Sequence, residues 1–482
     1  MTRRAELTTL GTGARALVRA LLPNIMPAAT EGGCRRQLAE GIPTPSLEQT
    51  WLVLAVLGRE LPTSDEVEAA RRLARHNGLG QLVAQLRARR RRPSKWFDRP
   101  ATVVTDAVLL DIQESATSTL MTGVQRVARS VALEWLERDS VQLVGWSTSR
   151  TQLLRIDADA FEARRRRGLF RRGPIVPWGG TYVLAESLNE PARASRIQAL
   201  AAYSGTRTGM IGNDAIPLTT AETTGPRMPG VFAKYLAAAS RMNIVATISE
   251  AAATEYGGWK AMLSSAGIDG PDIVTVQLAS TAQPAEPRFE VAARARMLVD
   301  DLPLVLCVGS HEPRKNHLAV LHAAELLWVA GHRFSLAFIG GNAWNSEEFD
   351  NEVSRLRAAG RPVQTISGLP DGELWWAYRL ARLTVFPSLN EGFGLPVAES
   401  LGAGTPVVTS DFGSMAEIAE AGGCVLVDPR NDEAIAEGVR SLLVDEELHK
   451  RLAAEASARR PRSWAEYADD VWDAMVNYDG SP

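Results

Sequence analysis

Six short apolar runs recur between residues 304 and 427, at 304–308, 334–339, 363–366, 383–386, 406–409 and 424–427. All six have the length of strands, and 304–308 and 383–386 read as buried ones. Each leads into a loop containing Gly, Pro or Asn and then, for most, a helix-length stretch such as 317–329. Strands alternating with helices build a parallel sheet covered on both sides. Ligands on such sheets bind outside the carboxyl ends of the strands. The chemistry of residues 300–460 is therefore sought in the loops that follow the apolar runs.

One loop stands out: Phe386-Pro-Ser-Leu-Asn-Glu391-Gly392-Phe393-Gly394-Leu395-Pro396-Val-Ala-Glu399. Pro396 falls in the first turn of the helix that follows, where its missing N–H costs nothing. The N–H groups of Gly392 to Leu395 and the helix dipole point at one place, which makes an anion site. Arg314 and Lys315 lie in another strand-end loop, Gly309-Ser-His-Glu-Pro-Arg-Lys-Asn316. One can fork onto phosphate oxygens and the other supplies a point charge. Together they can stabilise charge on a leaving nucleoside diphosphate without a metal. Glu399 can accept hydrogen bonds from ribose hydroxyls, and Glu391 can reach hydroxyls of a donor sugar. Either Glu alone reads as an acid favoured at a helix start. No GxGxxG or GxxxxGK[ST] follows a strand here, so neither a dehydrogenase nor a P-loop nucleotidase is supported.

Residues 101–290 repeat the alternation, with strands at the start and at 141–146, 181–185, 208–212 and 244–248. A second parallel sheet is expected. Gly123, in Thr122-Gly-Val-Gln-Arg126, can bring backbone close to a ligand, though turn geometry explains it as well. Asn213-Asp214 is a polar pair at a strand end. Asp214 acts on an acceptor hydroxyl or caps a turn, and both readings stand. Ser249-Glu250 reads first as a helix cap.

These motifs together resemble glycosyltransferase family 4. Glu391 to Glu399 is similar to its Glu-x7-Glu motif, and Gly309 to Asn316 to its Pro-Arg-Lys-Asn signature. Phe386-Pro-Ser388, Gly402-Ala-Gly404-Thr-Pro406 and Gly413-Ser-Met-Ala-Glu417 are similar to further family segments. The resemblance implies an α/β GT-B fold, two facing Rossmann-like doubly wound domains. It implies sugar transfer from a nucleotide-diphosphate sugar with retention of configuration. Arg314 and Lys315 would bind the diphosphate, Glu399 the ribose and Glu391 the sugar, and the loop at Gly368 would lie near the base. Attack would come from the front face, the donor phosphate taking the acceptor's proton. Many members carry His-Asp where this chain has Asn213-Asp214, and Asn cannot titrate near neutrality. Similar Pro-Arg-Lys-Asn motifs are common among bacterial mannosyltransferases, so GDP-mannose is the expected donor and a cell-surface glycan or lipid-linked acceptor the expected recipient. The alternative is a nucleotide-sugar-binding scaffold without catalysis, against which the intact Arg314, Lys315, Glu391 and Glu399 argue. A phosphorylase-like enzyme would need a pyridoxal-phosphate lysine, and Lys315 is the one Lys between 261 and 449.

A chain of 482 residues exceeds a single core. The expected division is a helical appendage and basic linker (1–95), an acceptor-side domain (101–290), a nucleotide-sugar domain (300–460) and a helix crossing back to the first domain (461–482). The segment 51–86 resembles a small helical module appended to bacterial surface-polysaccharide proteins. Trp464 and Trp472 read as packing anchors. A net charge of −3 gives no case for nucleic-acid binding. Cys34, Cys307 and Cys424 show neither a disulfide framework nor zinc spacing, which suits a reducing cytoplasm. Neither a signal peptide nor an apolar run of the ~18 residues needed to span a bilayer is found. Two Arg-rich stretches, Arg87 to Arg99 and Arg164 to Arg172, read as solvated segments or as contacts with anionic lipid headgroups.

Overall fold

The computed structural model describes residues 13–89, 100–118, 122–138, 140–282, 284 and 286–477. Most of the first Arg-rich stretch, Arg90 to Arg99, lies outside these residues, as do the side chains of Arg87 and Arg89.

The second domain is one six-stranded parallel sheet. Its strands are β10 (Leu304–Val308), β11 (Ser335–Ile339), β12 (Val363–Ile366), β13 (Leu383–Phe386), β14 (Val407–Ser410) and β15 (Cys424–Val427). They are ordered β12-β11-β10-β13-β14-β15. The chain starts at the centre with β10, winds outward to β12, then returns to lay β13 on the other side of β10. That reversal opens a crevice beyond the ends of β10 and β13, where doubly wound sheets bind their ligands. Leu306 of β10 is in register with Thr384 of β13, so the loops 309–316 and 387–394 leave the sheet side by side.

The first domain holds nine strands: β1 (Thr102–Val104), β2 (Val108–Asp111), β3 (Val141–Trp146), β4 (Leu153–Ile156), β5 (Phe170–Pro177), β6 (Thr181–Leu184), β7 (Arg207–Gly212), β8 (Ile244–Thr247) and β9 (Asp272–Thr275). Their order is β1-β5-β4-β3-β2-β6-β7-β8-β9. The expectation of an all-parallel sheet fails at β4, which runs antiparallel to both β3 and β5. The reason is the six-residue link 147–152, closed by Ser147 N–H donating to Gln152 O at 2.9 Å. A link that short makes a hairpin, because a parallel crossover needs a dozen residues or more. Of the second Arg-rich stretch, Arg171 and Arg172 fall on β5 and Arg164 to Arg167 form an exposed turn before it.

The N-terminal segment folds into helices including Glu31–Gly41, Leu47–Gly58 and Ser64–Arg89, the last broken at Gly78 (φ 76°). They dock on the first domain. Trp51 and Leu52 are fully buried in the same apolar cluster as Tyr182 and Leu200. A second cluster runs through both domains. It joins Phe393, Val397, Leu401 and Met415 to Val183 and Ile211, and adds Tyr467 and Val471 of the helix Trp464–Trp472. That helix lies on Gly123–Trp135, where Trp135 Nε1–H donates to Ala468 O at 2.9 Å and meets Trp472 edge-on at 5.1 Å. Trp464 packs against the Tyr467 ring at 6.0 Å. Near the crossing, Ser280 N–H donates to Arg462 O at 2.9 Å, tying together the two passages of the chain between domains.

Candidate active site

The crevice at β10 and β13 gathers most of the charged residues singled out in the sequence. Pro313–Lys315 is a single 3-10 turn, ended by Asn316 in the left-handed region (φ 59°). Asn316 holds that conformation by donating its amide to Pro387 O (3.1 Å) and Pro429 O (2.7 Å). Leu389 N–H donates to Arg314 O at 2.9 Å, clamping the two loops together.

Glu391 is the centre. Its carboxylate accepts from Arg314 Nη1 at 2.7 Å, Lys315 Nζ at 2.5 Å and Ser388 Oγ at 2.8 Å. Arg314 also donates to Glu312 Oε1 at 2.7 Å and Asn390 O at 2.7 Å. Burial opposes the charge on Glu391, but Arg314 and Lys315 outweigh it and hold the carboxyl at about 2. Burial pulls Lys315 down, and Glu391 resists. A carboxylate offers about four acceptor sites, and these three donors take three of those on Glu391.

Glu399 lies in the helix Leu395–Gly402 and is 6% exposed. Tyr378 Oη–H donates to its Oε2 at 2.8 Å, and its Oε1 is paired with Arg126 from the first domain. Gly394 (φ 100°) precedes this helix, and a Cβ on Gly123 would stand 3.6 Å from Leu395 Cδ1. Two helix starts, one from each domain, thus face each other across the crevice. A capping box, Thr122 with Gln125, fixes the first-domain one.

The first domain presses in at β7. A Cβ on Gly392 would lie 2.1 Å from Asn213 O, so only Gly admits this approach. Asp214 lies at that contact and accepts from Ile216 N–H at 3.2 Å, which is the turn-capping role. Burial pushes Asp214 up to about 6, with Arg314 opposing and Glu255 and Glu391 adding. The Asn213 side chain turns back toward Ile211 O at 3.5 Å and does not join the charged group. Ser249 caps its helix through Ala252 N–H (3.0 Å) and also donates to Gly392 O at 2.6 Å. Glu417 reaches across to the N–H groups of Glu250 and Ala251, both at 3.2 Å. Trp344 Nε1–H donates to Thr223 O at 2.8 Å at the mouth. Gly368 (φ 65°) follows β12 at the sheet edge, two strands from β10, in open space. Phe393 is buried in the interdomain core and supplies backbone only.

Sequence reasoning gave no role to Glu312, Ser388, Tyr378 or Arg126. Glu312 and Ser388 sit within the quoted loops, and Arg126 within the Gly123 motif, so their signal was local. Tyr378 had none. Also unforeseen is a buried network at the ends of β2 and β6. Asp111 accepts from Arg193 at 2.7 Å and Trp146 Nε1 at 2.6 Å. Glu186 caps the helix Gln113–Thr117 through Ser115 N–H at 2.9 Å, and burial pushes it up to about 7. Among the described residues no group of His, Cys, Asp and Glu could hold a metal.

Two parallel-strand domains that face each other with their strand ends define the GT-B fold. A crystal structure of Anabaena Alr3699/HepE in complex with UDP and glucose shares it, with TM-score 0.56 and 13% identity over 77% of this chain and 100% of that one. Residues 291–459 match the family model of glycosyl transferases group 1. O-antigen chain mannosyltransferase B of Escherichia coli is 33% identical over 161 residues, 33% of this chain and 42% of the relative. Serotype-specific mannosyltransferase WbdA of Escherichia coli is 24% identical over 331 residues, 66% of this chain and 40% of the relative. The chain thus spans less than half the length of these relatives.

Proposed function

We propose that this protein is a retaining glycosyltransferase of family 4 type that moves a hexose, mannose from GDP-mannose, to a glycan or lipid-linked acceptor of a cell-surface polysaccharide. The observation that carries the reading is the meeting of Arg314, Lys315 and Glu391 at the reversal point of the second sheet, opposite Gly123 and Asp214. The names of the Escherichia coli relatives support mannose and a surface polysaccharide.

In this reading Arg314 and Lys315 take the diphosphate at the start of helix Leu395–Gly402. Glu391 fixes both cations and offers its remaining acceptor site to a donor-sugar hydroxyl. Glu399 takes the ribose. The bond from the anomeric carbon to the phosphate oxygen breaks as the acceptor oxygen attacks the same face, and the acceptor proton passes to the leaving phosphate. Positive charge at Arg314 and Lys315 stabilises the departing diphosphate. Asp214, one strand-end away, orients the acceptor hydroxyl.

No helix among the described residues is long and apolar enough to cross a membrane. The exposed turn Arg164 to Arg167 is the surface we assign to anionic lipid at the cytoplasmic face of the membrane, each basic residue contributing about 1 kcal/mol.

The test is a panel of nucleotide sugars, read by nucleoside-diphosphate release and by thermal shift. GDP release from GDP-mannose, enhanced by a glycan acceptor, is the expected result. No binding of any donor would sink the reading. Binding without turnover on any acceptor would establish the scaffold instead.

A further inference from the structure

The two oxygens of Glu399 are both occupied, and by partners of different kinds. Oε2 belongs to Tyr378, a fully buried residue of the same domain, at 2.8 Å. Tyr378 is further held through its carbonyl, which accepts from Thr405 Oγ1–H at 2.7 Å, and by the Trp375 ring at 5.8 Å. Oε1 belongs to Arg126, whose side chain is 27% exposed and comes from the opposite domain. Acceptor sites remain on both oxygens, but Glu399 is only 6% exposed with these partners in place, so a ribose reaches it by moving one of them. Tyr378 is locked in a core, whereas Arg126 is a long, flexible, partly exposed side chain one turn into the helix Gly123–Trp135.

We propose that Arg126 is an internal competitor for the donor's ribose: it occupies Glu399 until a nucleoside diphosphate displaces it, and then closes on the diphosphate. This rests on the proposed assignment of ribose to Glu399. The second half follows from the facing helix starts. Gly123 and Leu395 flank the place where the diphosphate is assigned, and Arg126 lies one turn from Gly123. A guanidinium released from Glu399 there meets the next strongest anion within reach, a phosphate it can bind in a bidentate manner. The first-domain helix start thereby contacts the donor only after the ribose is seated. Arg126 is a positioning residue that makes the closed arrangement conditional on the nucleotide.

The experiment compares guanosine, GDP and UDP binding by calorimetry, and turnover of GDP-mannose, in the wild type, Arg126→Ala, Arg126→Lys, Glu399→Gln and the Arg126→Ala/Glu399→Gln double variant. Guanosine has the ribose but no phosphate, so removing the competitor should tighten its binding in Arg126→Ala by about 5-fold, the scale of a partly exposed ion pair. The same variant should lose about 10-fold or more in kcat, because the diphosphate contact is gone. Arg126→Lys keeps the pair and should bind nucleotide like the wild type. In the Glu399→Gln background, Arg126→Ala should no longer tighten binding. A merely structural Arg126 would weaken binding and turnover together, and that result overturns the proposal. Equal guanosine affinity in wild type and Arg126→Ala overturns it as well, while leaving the glycosyltransferase reading standing. Failure of every wild-type nucleotide to bind overturns both.

Discussion

Glu391 binds Arg314 and Lys315 with one carboxylate, through Oε2 at 2.7 Å and Oε1 at 2.5 Å. All three side chains are nearly buried, at 9–12% exposure. A carboxylate so placed does two jobs. It keeps two cations from repelling each other, and it aims both at the same point beyond the sheet.

Glu391→Ala is therefore expected to damage stability and turnover together. Leaving buried cations uncompensated costs about 3–5 kcal/mol. A nucleoside diphosphate should restore much of the lost stability, since it replaces the missing negative charge. Turnover should stay absent even with nucleotide sugar in excess. Thermal melts with and without GDP, beside an assay of diphosphate release, check this; a wild-type rate would refute the assignment.

Arg314→Ala should act on binding first. The residue supplies a fork to phosphate, and charge-assisted bonds of this kind are worth about 1.5–3 kcal/mol each. The donor KM is expected to rise by about 10- to 100-fold. A pure kcat effect with unchanged KM would show that Arg314 serves the transition state alone.

Asp214 sets a pH limb. Burial raises its carboxyl to about 6, so it is neutral below that value and charged above it. If it orients the acceptor hydroxyl as a carboxylate, acceptor-dependent turnover should rise as pH passes through 6 and level off above. Asp214→Asn should flatten the limb. Donor hydrolysis without acceptor, measured across the same range, should lack it.

His317 offers a stability measurement away from catalysis. Burial among His311, Phe338 and Phe349 pushes its imidazole down to about 3, and neither ring nitrogen has a hydrogen-bond partner. The unfolded chain takes up a proton near 6.5 while the folded one refuses it until about 3. Stability is thus fully present above 6.5 and falls as pH drops toward 3. At pH 5 the loss from this group is about 2 kcal/mol. His317→Leu should remove that part of the acid dependence, visible as a smaller change in denaturant midpoint between pH 7 and pH 5.

The second domain was legible because its inner strands β10, β11, β13 and β14 are buried on both faces and read as mostly apolar runs, while the edge strands β12 and β15 are only half-buried. β10, β12, β13 and β15 match runs visible in the sequence end for end. The helix His317–Val329 does too. β4 and β5 were not legible, since Leu153-Leu-Arg-Ile156 is short and β5 carries Arg171, Arg172 and Pro174. At the site, Arg314, Lys315 and Glu391 announced themselves through type and strand-end position. Their mutual pairing depends on β10 lying beside β13, which only the winding order decides. Arg126 meeting Glu399 is a contact over 273 positions, and no local pattern encodes it.

The helix Trp464–Trp472 completes a face of the first domain although more than 300 residues separate it from Gly123–Trp135, whose surface it covers. During synthesis the first sheet emerges early, yet Trp135 stays without its cover until residue 472 has left the ribosome. Gly123 and Arg126 stand on that same helix. A chain halted after the second domain would carry every charged residue of the crevice and still lack a firm seat for its first-domain wall. On the proposed function, competence for transfer would be deferred until translation has passed the whole of both domains.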